Sequence, residues 1–165
     1  MTEPRATHTS RDEAHSAVDI VRLEPSDVEL ARNTLVMVGE VFDDEDLPPL
    51  RDAFVAQLLA REDLWLYAAT AEGDPVGGMT VHVLPLTRTE STELMIYDIA
   101  VRADWQRRGV GASLLRRLRL DAAAAGIREL WVPAENEDTH AIEFYRRTGG
   151  HPQAVTIYTY SAEAQ

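Results

Sequence analysis

A chain of 165 residues, 45% hydrophobic and 27% charged, is long enough to bury one core and has the composition of an ordinary globular domain. Its formal net charge of −12 argues against nucleic acid as a partner, because nucleic-acid readers present a basic face, and would suit a polycationic small molecule. No apolar run approaches ~20 residues, so no membrane span is expected, and the absence of cysteine removes disulfides, thiolate metal sites and a thiol nucleophile.

Residues 1–17 are polar and lack an apolar core segment, which predicts a disordered leader rather than a secretory signal. Residues 18–165 are then expected to form a single domain, with the cytoplasm as the default location. Val18–Leu23 alternates as a first strand. Ser26 and Glu29 have the spacing of a capping box, opening a helix that carries Leu30, Leu35 and Val38 and ends near Gly39. The segment from Glu40 to Pro49 breaks the pattern with Asp43, Asp44, Glu45, Asp46 and two prolines, and Phe42 and Leu47 are its expected apolar anchors. A second helix is predicted from about Leu50 to Ala60.

Leu64–Ala71 and Val76–Leu84 read as strands joined by the turn Glu72-Gly73-Asp74-Pro75. Glu93–Val101 is a further strand with Leu94, Ile96, Ile99 and Val101 as its apolar residues. Gln106-Arg107-Arg108-Gly109-Val110-Gly111 follows, and then a helix that Gly126 can cap. Glycines at a loop-to-helix junction let unpaired amides approach an anion. The loop is neither a Walker loop, since no Gly-Lys-Ser/Thr follows, nor the dinucleotide G-x-G-x-x-G, since Gly109 and Gly111 have no third glycine after them. Glu129–Ala134 reads as a strand whose Pro133 cannot donate to a ladder, which fits a strand that has parted from its neighbour there. Asp138 can cap a helix over Thr139–Thr148 ended by Gly149-Gly150, and Ala154–Tyr160 alternates as a closing strand.

Strand, then Gln-x-x-Gly-x-Gly, then helix resembles the acyl-CoA pyrophosphate loop of the GCN5-related N-acetyltransferase (GNAT) superfamily, and the order β-α-α-β-β-β-α-β-α-β matches it element for element. The resemblance implies an α/β fold with a mixed central sheet and a V-shaped splay between the fourth and fifth strands. It implies acetyl-CoA as acyl donor, with no metal. Gln106, Arg107, Arg108, Gly109, Val110, Gly111 and Ala112 would hold the pyrophosphate, largely through main-chain amides. Ile99, Ala100 and Val101 would bind the pantetheine arm and the oxyanion by main-chain groups, with Asn136 also on the acyl-CoA side. Tyr145, in a loose match to N-x-x-A-x-x-x-Y-x-x-x-G, would protonate the leaving thiolate.

Acetyl transfer to an amine also needs a group that takes a proton from the ammonium. Asp98 stands in the otherwise apolar run Met95–Val101, and a carboxylate there asks for a reason: a structural hydrogen bond, or reception of the substrate amine. Glu135 and Glu93 are the runners-up.

His82-Val83-Leu84-Pro85 followed by Glu93-Leu94-Met95-Ile96-Tyr97-Asp98-Ile99-Ala100-Val101 is similar to the gentamicin-type aminoglycoside 3-N-acetyltransferases. Glu40, Asp43, Asp44, Tyr97, Asp98, Glu135 and Asp138 would then form the acceptor site, acidic enough to hold a polycation. Two alternatives remain: an acetyltransferase for another amine, such as a polyamine or a peptide N-terminus, and an acyl-CoA-binding sensor without catalysis. Dimers are common in the family, and the closing strand with Tyr158 and Tyr160 is a candidate homodimer interface.

Overall fold

The computed structural model describes residues 17–44 and 48–162. The expected leader therefore lies outside the described residues apart from Ala17, as do Glu45, Asp46 and Leu47. The described residues divide into two compact units, the first ending at Trp131 and the second beginning at Val132.

The first unit is a five-stranded sheet in the order β1 (Val18–Arg22), β2 (Leu64–Ala71), β3 (Asp74–Pro85), β4 (Thr92–Val101), β5 (Glu129–Trp131). The first four strands pair antiparallel and β5 pairs parallel to β4, giving the mixed sheet expected. Helices α1 (Val28–Val41) and α2 (Asp52–Leu59) lie on one face, and α3 (Val110–Ala124) on the other.

Two adjacent glycines in β3 allow this sandwich. Successive residues of a strand point to opposite faces. A Cβ on Gly78 would come within 2.7 Å of Thr34 and 2.8 Å of Val38 in α1, while one on Gly77 would stand 3.0 Å from Val110 in α3. Both helices thus approach the sheet more closely than a side chain permits. Leu64, Leu66 and Ala68 of β2 meet Ala31, Val55 and Leu59 on the α1/α2 side, and Val110, Leu114, Leu118 and Ala122 form the buried stripe of α3. Burying one such side chain is worth ~1.5–3 kcal/mol, so these two layers carry most of the drive to fold.

Several sequence expectations are corrected. The capping box at Ser26 does not form: Asp27 is the N-cap of α1, and its Oδ2 accepts from the Glu24 amide (2.8 Å) instead of capping the helix. The helix runs through Gly39 to Val41, because apolar Met37, Val38 and Val41 keep their side of the helix packed beyond the glycine. Phe42 is not an anchor; it is 49% exposed. β5 is only three residues long and stops before Pro133.

In the second unit, α4 (Thr139–Arg147) is capped as expected, Asp138 accepting from the Ala141 amide at 2.9 Å. Gly149 (φ 93°) ends it, with the Gly150 amide donating to the Tyr145 carbonyl at 2.8 Å. The expected closing strand does not form a ladder: residues 151–162 are exposed and carry no strand pairing.

Candidate active site

The strand β4 organises the site. Its parallel pairing with β5 covers only Glu93–Glu129, Leu94–Leu130 and Met95–Trp131. From Ile96 to Val101 the edge of β4 away from β3 has no strand partner among the described residues. This is the splay expected between the fourth and fifth strands. It leaves that edge of β4, along Ile99 and Ala100, without a strand partner.

At the end of β4 the chain makes a short 3-10 turn, Ala103–Trp105, fixed by the bidentate Arg102–Asp104 pair (2.7 and 2.9 Å). Arg107 (φ 58°) and Gly109 (φ 83°) then take left-handed conformations that swing the loop into α3. No side-chain cap occupies the start of α3, and the space around a Cβ on Gly109 is open to 4 Å. The first-turn amides of Val110, Gly111 and Ala112 therefore have no intrahelical acceptor and face an open approach, as a phosphate cradle requires. Arg108 stands over the Trp105 ring (5.0 Å), keeping a guanidinium beside the loop. The cradle fits the pyrophosphate of an acyl-CoA. Gln106 serves the loop differently from the glycines: its Nε2 donates to the Val101 carbonyl (3.1 Å), pinning the loop to the end of β4.

On the α1 face of the sheet, Thr80 pairs with Asp98 across β3 and β4, and the next pair is Val81 with Ile96. Tyr97 is thus the extra residue of a β-bulge. Asp98 is half-buried and lies directly across from Thr80. Its carboxyl is held above the usual carboxylate range, first because burial disfavours the charge and second because the Asp44 carboxylate is near; His82 and Thr80 oppose the shift. Asp98 takes part in no ion pair among the described residues.

Asp44 reaches this place because Met37 and Val38 of α1 pack on Ala100 of β4, which brings the end of the helix over the strand. The Asp44 amide donates to the Gly39 carbonyl (3.0 Å), which fixes the turn. Tyr97 is 64% exposed, and His82 meets its ring edge-on at 5.5 Å. Thr80 and His82 were not singled out as site residues, although period-two alternation in β3 would place both on the face of Asp98. Glu40 and Asp43 are exposed at the same end of α1, and Glu93 is half-buried on β4 where β5 still pairs.

In the second unit, Glu135 and Asn136 are exposed ahead of α4, and Asp138 spends one oxygen on the cap. Tyr145 is half-buried, its ring 5.1 Å from that of Phe144. Burial pushes its phenol up to about 12, and the Asp138 charge adds to the shift. The hydroxyl is therefore protonated across the physiological range and can donate.

Comparison with known proteins agrees with this architecture. Residues 29–150 match the Acetyltransferase (GNAT) family, and the chain belongs to it. An uncharacterized N-acetyltransferase of Methanocaldococcus jannaschii is 34% identical over 101 residues, 59% of this chain; the match spans 44% of that relative's length, less than half of it. The fold is similar to that of an aminoglycoside acetyltransferase from an uncultured soil metagenomic sample. In complex with trehalose that structure gives a TM-score of 0.86 at 27% identity, over 92% of this chain and all (100%) of the other. In complex with sisomicin it gives 0.84 at 26% identity, over 88% and 97%. No helix among its described residues is long and apolar enough to cross a membrane.

Proposed function

We propose that the protein uses acetyl-CoA to acetylate the 3-amino group of an aminoglycoside. The observation that carries this reading is Asp98: a half-buried carboxylate at a β-bulge, beside a second acid and an exposed aromatic ring, with no arginine paired to it. A half-buried carboxylate without a cationic partner costs free energy in a folded protein unless a cation joins it. An aminoglycoside carries several ammonium groups, and the similarity to a chain solved with sisomicin supports that class of acceptor.

Bound acetyl-CoA would supply a thioester carbonyl as electrophile and a thiol as leaving group. The amides of Arg108 to Ala112 hold the diphosphate, and Arg107 or Arg108 neutralises its charge. Main-chain groups of Ile99, Ala100 and Val101 orient the arm, with Asn136 on the same ligand. Asp98, Asp44, Asp43 and Glu40 draw in and orient the polycation, and Tyr97 offers a ring face to an ammonium. Asp98 takes the ammonium proton, directly or through water, and its raised basicity suits the task. Tyr145 keeps its proton at neutral pH and donates its O–H toward the departing sulfur.

The test is thiol release from acetyl-CoA with gentamicin-type aminoglycosides, spermidine and short peptides as acceptors. Turnover on aminoglycosides, with the product acetylated at N3, is the expected result. Turnover on spermidine or peptides without turnover on aminoglycosides would replace the acceptor class. Binding of acetyl-CoA with no turnover on any acceptor would instead indicate a sensor.

A further inference from the structure

Tyr97 interrupts the ladder between β3 and β4. Thr80 pairs with Asp98 and Val81 with Ile96, so Tyr97 has no partner across the strands. Its direction is therefore not set by the alternation that fixes its neighbours. What the ladder leaves open, a side chain supplies. The ring centroids of His82 and Tyr97 stand 5.5 Å apart with their planes at 79°, the T-shaped arrangement that aromatic pairs prefer. Among the described residues Tyr97 has no second ring contact, and its hydroxyl makes no hydrogen bond.

The two partners are not equally fixed. His82 is held on both sides, opposite Leu64 of β2 and Met95 of β4. Tyr97 belongs to the irregular stretch of its strand, so the stiffer residue sets the place of the looser one. That place adjoins Asp98, the next residue in the chain. The imidazole is also near enough for its charge to act on Asp98 and on Asp63. It forms no ion pair with either, and Asp63 already holds Arg61 through two bonds of 2.9 and 2.7 Å. The ring contact is the interaction that His82 completes.

A held aromatic ring beside a carboxylate discriminates among cations. An amine carried on a saturated ring can lay a C–H face on Tyr97 while its ammonium reaches Asp98. A linear polyamine matches the charge alone. We infer that His82 is a positioning residue, which holds the Tyr97 ring beside Asp98 and so favours cyclic amines over linear ones. The preference rests on the acceptor reading given above; the holding of the ring does not.

Wild type, His82→Ala and His82→Phe decide it, since phenylalanine keeps a ring and carries no charge. In proton NMR spectra of the free protein, the Tyr97 ring signals are identified by their loss in Tyr97→Leu. They should move toward random-coil positions in His82→Ala and stay displaced in His82→Phe. With a gentamicin-type aminoglycoside, His82→Ala should raise the acceptor KM about three- to tenfold, the worth of one such ring pair. Both kcat and the KM for acetyl-CoA should stay within about twofold of wild type. His82→Phe should restore the aminoglycoside KM, and the KM for spermidine should be the same in all three proteins. Tyr97 signals that do not move in His82→Ala overturn the inference whatever the acceptor. An acceptor KM that His82→Phe fails to restore also overturns it, and assigns the role to the imidazole charge. A wild type that turns over no aminoglycoside strikes the acceptor reading and the cyclic-amine preference together, while the Tyr97 signals still decide whether His82 holds the ring.

Discussion

Asp121 and Asp98 sit against opposite faces of the same sheet, and their surroundings differ in every respect that matters to a carboxylate. Asp121, on α3, receives the Tyr67 hydroxyl (3.0 Å) and the Arg117 Nε (3.0 Å), while Arg117 also donates to the Ile20 carbonyl (3.1 Å). That network ties β1, β2 and α3 together, with Tyr67 buried beneath it. Asp98 has a hydroxyl, a neighbouring acid and a histidine, and no guanidinium. One acid is completed by the fold; the other is left for something the fold does not contain. A carboxylate of the second kind is costly to keep and is the more informative of the two about function.

The largest effect that sharpens this contrast is on catalysis. Asp98→Asn is expected to lower kcat/KM by about 10²- to 10⁴-fold, the usual worth of a positioned acid or base, whereas Asp121→Asn should leave kcat/KM within a few-fold of wild type. Tyr145→Phe should follow at roughly 100-fold, mainly in kcat. Because burial pushes the Tyr145 phenol up to about 12, its ionisation should contribute no alkaline limb to the kcat–pH profile below about pH 10. A limb near neutrality that vanishes in Tyr145→Phe would contradict its protonated role.

Stability should move the other way. Asp121→Ala removes a charge-assisted hydrogen-bond acceptor and leaves Arg117 and Tyr67 without their partner, at a cost of ~1–3 kcal/mol. Asp98→Asn should instead raise the Tm at neutral pH. The folded-state pKa of Asp98 lies above its unfolded value, so the stability this group contributes is present below the unfolded pKa of about 3.8 and lost as pH rises through the folded one. Wild type and Asp98→Asn should therefore converge on acidification and separate toward pH 7. Thermal melts at both ends of that window check the sign. The smallest expected effect is that of Gly109→Ala: with φ at 83° the added Cβ strains the loop by ~1 kcal/mol, and the KM for acetyl-CoA should rise more than kcat falls.

The amino-acid sequence made the frame readable because local signals and tertiary packing agree there. The strand Leu64–Ala71 is bounded by turn residues and forms as expected, and the next strand begins at Asp74 because Glu72 (φ 54°) and Gly73 (φ 92°) make a tight hairpin. The loop before α3 and the Asp138 cap were legible for the same reason, since a glycine or an acid at those positions has a local job. The bulge at Tyr97 was not: nothing in the Glu93–Val101 run marks an extra residue, because it arises from pairing with β3. The proximity of Asp44 to Asp98 was equally hidden, since it depends on Met37 and Val38 seating on Ala100. Ala154–Tyr160 shows the reverse case, in which strand propensity is present without a ladder in the single chain. The Ser26/Glu29 spacing failed because Asp27 lies between them and turns back on Glu24.

Calorimetric titration of a gentamicin-type aminoglycoside into wild type, Asp98→Asn and Asp121→Asn tests the central claim most directly. The account predicts that Asp98→Asn loses at least about tenfold in affinity, about 1.4 kcal/mol, while Asp121→Asn binds as wild type does. Equal affinity in all three proteins would mean that the open carboxylate on β4 does not receive the amine.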